Sequence, residues 1–133
     1  MRRVFIDTAY FVGLINSKDQ HHLLAKTAEQ RMIGAELYTS QMVLVEVLTT
    51  FCKNEFLKKA AIEMIGTIAD EIDVVDQTPE LFDAAVVLYQ NFGDKKWSLT
   101  DCASKVIMDE LAIWEAATTD HHFIQMKRTI LMV

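Results

Sequence analysis

The amino-acid sequence predicts a three-layer α/β fold, a mostly parallel sheet flanked by helices, from three observations. Short β-branched and aromatic runs alternate with longer stretches of helical periodicity throughout the 133 residues. The stretches between runs are long enough for crossover helices, and strands joined that way pair in parallel. Four glycines and one proline, with no repeat and no low-complexity segment, leave nothing that reads as a linker. Residues 1–133 are therefore taken as a single domain.

The elements follow in order. Arg3-Val4-Phe5-Ile6 is a branched and aromatic strand that ends at Asp7. Residues 19–33 place Leu23, Leu24, Ala28 and Met32 at helical spacing, and Gly34 stops that helix. Glu36-Leu37-Tyr38-Thr39 is a brief second strand. Ser40 caps a helix running through Met42 to about residue 53, and residues 56–69 form another. Ile72-Asp73-Val74-Val75 is the third strand. Thr78-Pro79 opens a helix with proline at its first position, where the missing N–H costs least, and the helix ends at Gly93. Ser98 or Thr100 caps the next, which runs to about Leu111. Residues 113–119 form a fourth strand, a helical turn follows Asp120, and residues 129–132 form a last edge strand.

Composition bounds the function. Apolar residues are 51% and charged residues 24% of the chain, as in ordinary globular domains. No basic segment followed by an apolar one opens the chain, and no apolar run approaches the roughly 18 residues of a membrane span. Cys52 and Cys102 lie far apart without a C-x-x-C pair, so they read as reduced thiols of a cytoplasmic protein with no membrane association. A net charge of −6 opposes nucleic-acid binding, which usually needs a basic face. Four carboxylates neutralised by bound cations would leave about −2 elsewhere.

In open α/β sheets, sites form beyond the carboxyl ends of the strands. Asp7 ends the first strand and Asp120 ends the fourth. Each also suits a helix cap or Asx turn. Glu46 stands inside Met42-Val43-Leu44-Val45-Glu46-Val47-Leu48, where a buried carboxylate is costly unless paired or metal-bound. Asp101 lies in the first turn of its helix, and Ser98-x-x-Asp101 equally matches a capping box. If the four gather, two charges about 5 Å apart repel by roughly 3 kcal/mol at an effective dielectric of ~20. Six such pairs cost on the order of 20 kcal/mol, more than a domain's whole stability, so protonation or divalent cations must relieve them. Oxygen ligands suit Mg²⁺ or Mn²⁺.

Four segments carry a family resemblance: Val4-Phe5-Ile6-Asp7-Thr8, Val45-Glu46-Val47, Leu99-Thr100-Asp101-Cys102-Ala103-Ser104 and Ala117-Thr118-Thr119-Asp120-His121-His122-Phe123. In order and spacing the whole chain resembles the PIN domain family, and within it the VapC-like ribonuclease toxins of bacterial toxin–antitoxin pairs. The resemblance implies Asp7, Glu46, Asp101 and Asp120 as the catalytic metal site, with Thr8, Thr100 and Thr119 orienting the carboxylates. It also implies endonucleolytic cleavage of single-stranded or loop RNA, a small antitoxin partner and a homodimer. Phe51, Phe56, Leu57 and Ile65 are candidates for a groove that takes a partner helix.

Other residues carry weaker expectations. Lys53 and Lys105, on the faces of Glu46 and Asp101, and His121 are candidate substrate contacts. His21, His22 and His122 read as ordinary helix or turn residues, Lys95 and Lys96 as solvated charges, and Trp97 and Trp114 as core or interface. Three other functions are weighed: a housekeeping PIN nuclease, a non-catalytic PIN scaffold, and a phosphoacceptor receiver. Asp7 lacks the acidic neighbour that a receiver needs, and Asp7-Thr8-Ala9 lacks the second Asp of a D-x-D phosphatase.

Overall fold

The computed structural model describes residues 1–133. Five strands form one parallel sheet: β1 (Arg3–Ile6), β2 (Glu36–Ser40), β3 (Ile72–Val75), β4 (Glu115–Ala117) and β5 (Thr129–Ile130), in the order β3-β2-β1-β4-β5. Val4, Phe5 and Ile6 of the central strand are fully buried, which is why an uninterrupted branched and aromatic run sits there.

Seven helices connect the strands: α1 (Thr8–Ile15), α2 (His22–Arg31), α3 (Gln41–Thr50), α4 (Glu55–Ile68), α5 (Pro79–Asn91), α6 (Leu99–Glu110) and α7 (His122–Gln125). The chain steps from β1 outward to β3, then crosses back over β1 to reach β4 and β5. Right-handed crossovers then place α1 to α4 on one face and α5 to α7 on the other. Accordingly α1 packs on α2, α3 and α4, while α5 packs on α6. The order reverses between β1 and β4, so a crevice opens beyond their carboxyl ends.

Local chemistry ends the helices as anticipated in several places. Ser40 Oγ accepts from the Val43 N–H at 3.1 Å, and Thr78 Oγ1 accepts from Leu81 at 3.1 Å with Pro79 beside it. Of the two caps left open for α6, Ser98 is the one used. Gly34, at φ 87, turns the chain from α2 into β2 where a side chain would be strained.

Three expectations are corrected. Helix α1 was not anticipated; Thr8–Ile15 is aromatic, branched and apolar nearly all round, so it lacks the one-sided pattern of a surface helix. Helix α3 stops at Thr50, three residues short of Lys53. The supposed partner groove does not form as drawn. Phe51 is 4% exposed and belongs to the core, Leu57 and Ile65 pack against it, and Phe56 is 81% exposed. No helix is long and apolar enough to cross a membrane.

Candidate active site

The carboxyl ends of β1 and β4 feed two acidic residues into the crevice. Asp7 follows β1 and occupies the N-cap position of α1, yet its carboxylate makes no cap bond. Instead, Asp7 Oδ2 accepts a hydrogen bond from Thr118 Oγ1 at 2.7 Å. The same Thr118 hydroxyl accepts from the Asp120 N–H at 3.0 Å, so one buried side chain fixes both acidic residues. Strand β4 ends at Ala117, and Asp120 lies three residues beyond it in the turn before α7.

Two helices bring the other acidic groups. Glu46 sits on α3, where Thr8 Oγ1 donates to its Oε1 at 2.6 Å. Asp101 is the third residue of α6, and both arms of its capping box with Ser98 are made, at 3.0 and 3.1 Å. Its Oδ2 also lies 2.9 Å from His122 Nδ1, which in turn is 3.3 Å from Asp120 Oδ1. Ligand atoms of Asp101, Asp120 and His122 all fall within 4.8 Å of one another, close enough to share a cation.

The four acidic residues line one open cleft of about 530 Å³, and only 2 of its 14 lining residues are hydrophobic. Burial pushes the Asp7 carboxyl up from its ordinary 3.8 to about 7. Hydrogen bonds from Thr118 and the Thr8 backbone oppose the rise, while the charges of Asp101 and Glu46 add to it. Burial also raises Asp101, against hydrogen bonds from Ser98 and His122, and the Asp120 charge adds to the rise. Burial and the neighbouring charges both disfavour ionised carboxylates here, a cost that a proton or a divalent cation would relieve. The donors fit one: carboxylate oxygens with a single imidazole nitrogen.

Several assignments change. At the end of β4 the hydroxyl bonded to Asp7 and Asp120 is that of Thr118, and Thr119 lines the cleft. Thr100 is buried, and the side-chain bond made to it is Ser104 Oγ donating to its backbone carbonyl, away from the carboxylates. Lys53 lies in the exposed turn after α3 and Lys105 is ion-paired with Asp109 at 2.7 Å, so neither lines the cleft. His121 is exposed outside it, and His122 takes the inner place. An Asx turn does this: the His122 N–H donates to Asp120 Oδ1 at 2.9 Å while Phe123 is fully buried. The Asp-x-His-Phe pattern was the available signal, since adjacent helical residues diverge by about 100° and the apolar one fixes the turn. Lys96, Asp19 and His21 also line the cleft without having been singled out for it.

Solved structures share this architecture. VapC20 of Mycobacterium tuberculosis, described as a sarcin–ricin loop cleaving toxin, is 23% identical with a TM-score of 0.82, over 92% of this chain and 93% of its own. VapBC2 of Rickettsia felis, described as bound to a DNA fragment from its promoter, is 13% identical with a TM-score of 0.67, over 96% of each chain. FitAcB of Neisseria gonorrhoeae is 14% identical with a TM-score of 0.66, also over 96% of each. At these identities the likeness shows the fold. No curated protein matches the chain significantly by sequence. The model of the PIN domain family matches residues 4–128, a span that includes all four acidic residues and His122, and the chain belongs to that family.

Proposed function

We propose that this protein is a metal-dependent endoribonuclease that hydrolyses phosphodiester bonds of single-stranded or loop RNA, as the toxin of a toxin–antitoxin pair. The observation that carries the reading is the convergence of Asp7, Glu46, Asp101, Asp120 and His122 on one cleft at the switch point of a PIN sheet. Asp101, Asp120 and His122 would hold the cation, with Asp7 and Glu46 completing the acidic wall. The oxygen-rich set suits Mg²⁺ or Mn²⁺, and the imidazole favours Mn²⁺. When bound, such an ion activates water and neutralises charge developing on a phosphodiester. Thr118 and Thr8 hold Asp7 and Glu46 in place, so little reorganisation is left for the reaction itself.

The toxin role is supported by the neighbours: one is described as a sarcin–ricin loop cleaving toxin, and another as bound to a DNA fragment from its promoter. A cytoplasmic protein with a small antitoxin partner follows from that role. An apolar groove of about 580 Å³, lined by 11 hydrophobic residues among 16 and reached at Leu14, Ile33, Leu37 and Met64, offers the partner a seat. Exposed Val45 and Ile62 offer surface for a homodimer.

The test is incubation of purified protein with single-stranded RNA and Mg²⁺ or Mn²⁺, read on a denaturing gel, with Asp101→Asn beside it. Internal cleavage by the parent, absent in the variant and in chelator, is expected. Equal cleavage by both proteins would sink the reading. Unimpaired growth on strong expression of active protein would favour a processing nuclease over a toxin.

A further inference from the structure

We propose that the hollow beside the acidic cleft, floored by Phe92 and Trp97 and walled by Tyr89 and Lys96, is a subsite for one unpaired nucleobase and its adjoining phosphate. The inference rests on the ribonuclease reading and names the part of the chain that holds substrate next to the reacting bond.

The hollow, about 340 Å³, is lined by five residues, Tyr89, Phe92, Gly93, Lys96 and Trp97. Its floor is rigid. Phe92 and Trp97 pack with ring centroids 4.9 Å apart, and the Trp97 indole N–H donates to Gln125 Oε1 at 2.8 Å. Trp97 is only 6% exposed, so it supports the site and Tyr89 is the ring that a ligand meets. Tyr89 is 54% exposed and lies three residues before Phe92, which turns the two rings to one side at the end of α5. Gly93 contributes no side chain, and a Cβ there would meet nothing closer than 3.9 Å, so the approach to the rings is open.

Lys96 joins this hollow to the cleft. It lines both, and it is the one lysine or arginine among the residues that line the cleft. Its backbone holds φ 62, a left-handed conformation unusual for lysine, in the turn that leads to Ser98 and Asp101. It forms none of the ion pairs of the structure, whereas its neighbour Lys95 reaches Asp94 at 3.7 Å. A chain with a net charge of −6 needs a cation where a phosphate enters its acidic cleft, and Lys96 stands at that boundary.

An exposed ring with a cation beside it is how proteins hold single-stranded nucleic acid, because every base has a π-face and every linkage a charge. A base in a duplex is already stacked and cannot enter, so the arrangement selects unpaired segments. With the base against Tyr89 and its phosphate at Lys96, the neighbouring linkage is directed to the carboxylates.

The test uses fluorescence anisotropy of a labelled single-stranded RNA of mixed sequence with Mg²⁺, in the full chain carrying Asp7→Asn so that the probe survives. Circular dichroism checks folding. Adding Tyr89→Ala should weaken binding on the order of 10-fold, and Tyr89→Phe, which keeps the ring, should restore it. Adding Lys96→Gln should lower the slope of log K against log salt by about 0.7. A strand of the same length with sugars and phosphates but no bases should bind alike to the proteins with and without Tyr89→Ala. Undiminished binding in Tyr89→Ala and Lys96→Gln, in a protein whose parent cuts RNA, would overturn the subsite alone. A parent that neither binds nor cuts RNA would overturn the nuclease reading and the subsite together.

Discussion

Helix α1 separates two hollows of similar size, about 530 Å³ on the side of Thr8, Ala9 and Val12 and about 580 Å³ on the side of Tyr10, Phe11 and Leu14. On the first side 2 of 14 lining residues are hydrophobic, and on the second 11 of 16. The polar side gathers four carboxylates whose repulsion opposes folding until a cation or proton arrives. The apolar side loses only the hydrophobic stabilisation that a partner would supply. Volume therefore says little about role, and it is the lining chemistry that distinguishes the acidic side, proposed for the reaction, from the apolar side, proposed for the partner.

The sharpest way to separate the two sides is Asp7→Asn. The amide keeps the shape but removes a charge from the cation site, so RNA cleavage should fall at least about 1,000-fold, several kcal/mol of transition-state stabilisation. Single-turnover cleavage rates check this, and partner binding on the other side should be unchanged.

The same residue carries a pH dependence. In the metal-free folded protein Asp7 titrates near 7, against 3.8 for an ordinary Asp, so the folded state holds the proton more tightly. Stability from this group is present in acid and is lost as pH rises from about 4 through about 7. Denaturant unfolding in chelator should find the parent a few kcal/mol more stable at pH 5 than at pH 8, since each pKa unit is about 1.4 kcal/mol. Asp7→Asn should flatten that slope.

A smaller effect is expected where a hydroxyl orients the acidic groups. Thr118→Val keeps the volume but frees Asp7 Oδ2 and the Asp120 N–H, and should weaken Mn²⁺ binding about 10- to 100-fold. Calorimetric titration reads it. On the apolar side Met64→Glu adds charge beside Glu29, Asp70 and Glu71 at the groove rim. It should weaken capture of the partner at least about tenfold while cleavage stays at the parent rate.

What the sequence made legible follows from how local each signal was. Asp7 and Asp120 could be placed because branched strand runs end near them and the sheet order reverses there. Glu46 was singled out by its apolar neighbours, but Val45 is 58% exposed and Glu46 half-buried, so the site lies at a rim where a buried helix was expected. Helix α1 carries no amphipathic signal in the sequence because burial on two sides erases that periodicity. Thr118 and His122 depended on a one-residue register and an Asx turn, which periodicity does not resolve. Lys96 reaches the cleft through a left-handed backbone that its residue type does not signal.

We propose that Asp7, Glu46, Asp101, Asp120 and His122 form one divalent-cation site. Titration of the metal-free protein with Mn²⁺, followed by loss of the free-ion electron paramagnetic resonance signal, tests it without any substrate. Saturable binding in the parent, weakened in Asp101→Asn and in His122→Asn and competed by Mg²⁺, is the predicted result. Binding that is absent in the parent, or equally tight in both variants, would show that these side chains hold no divalent cation.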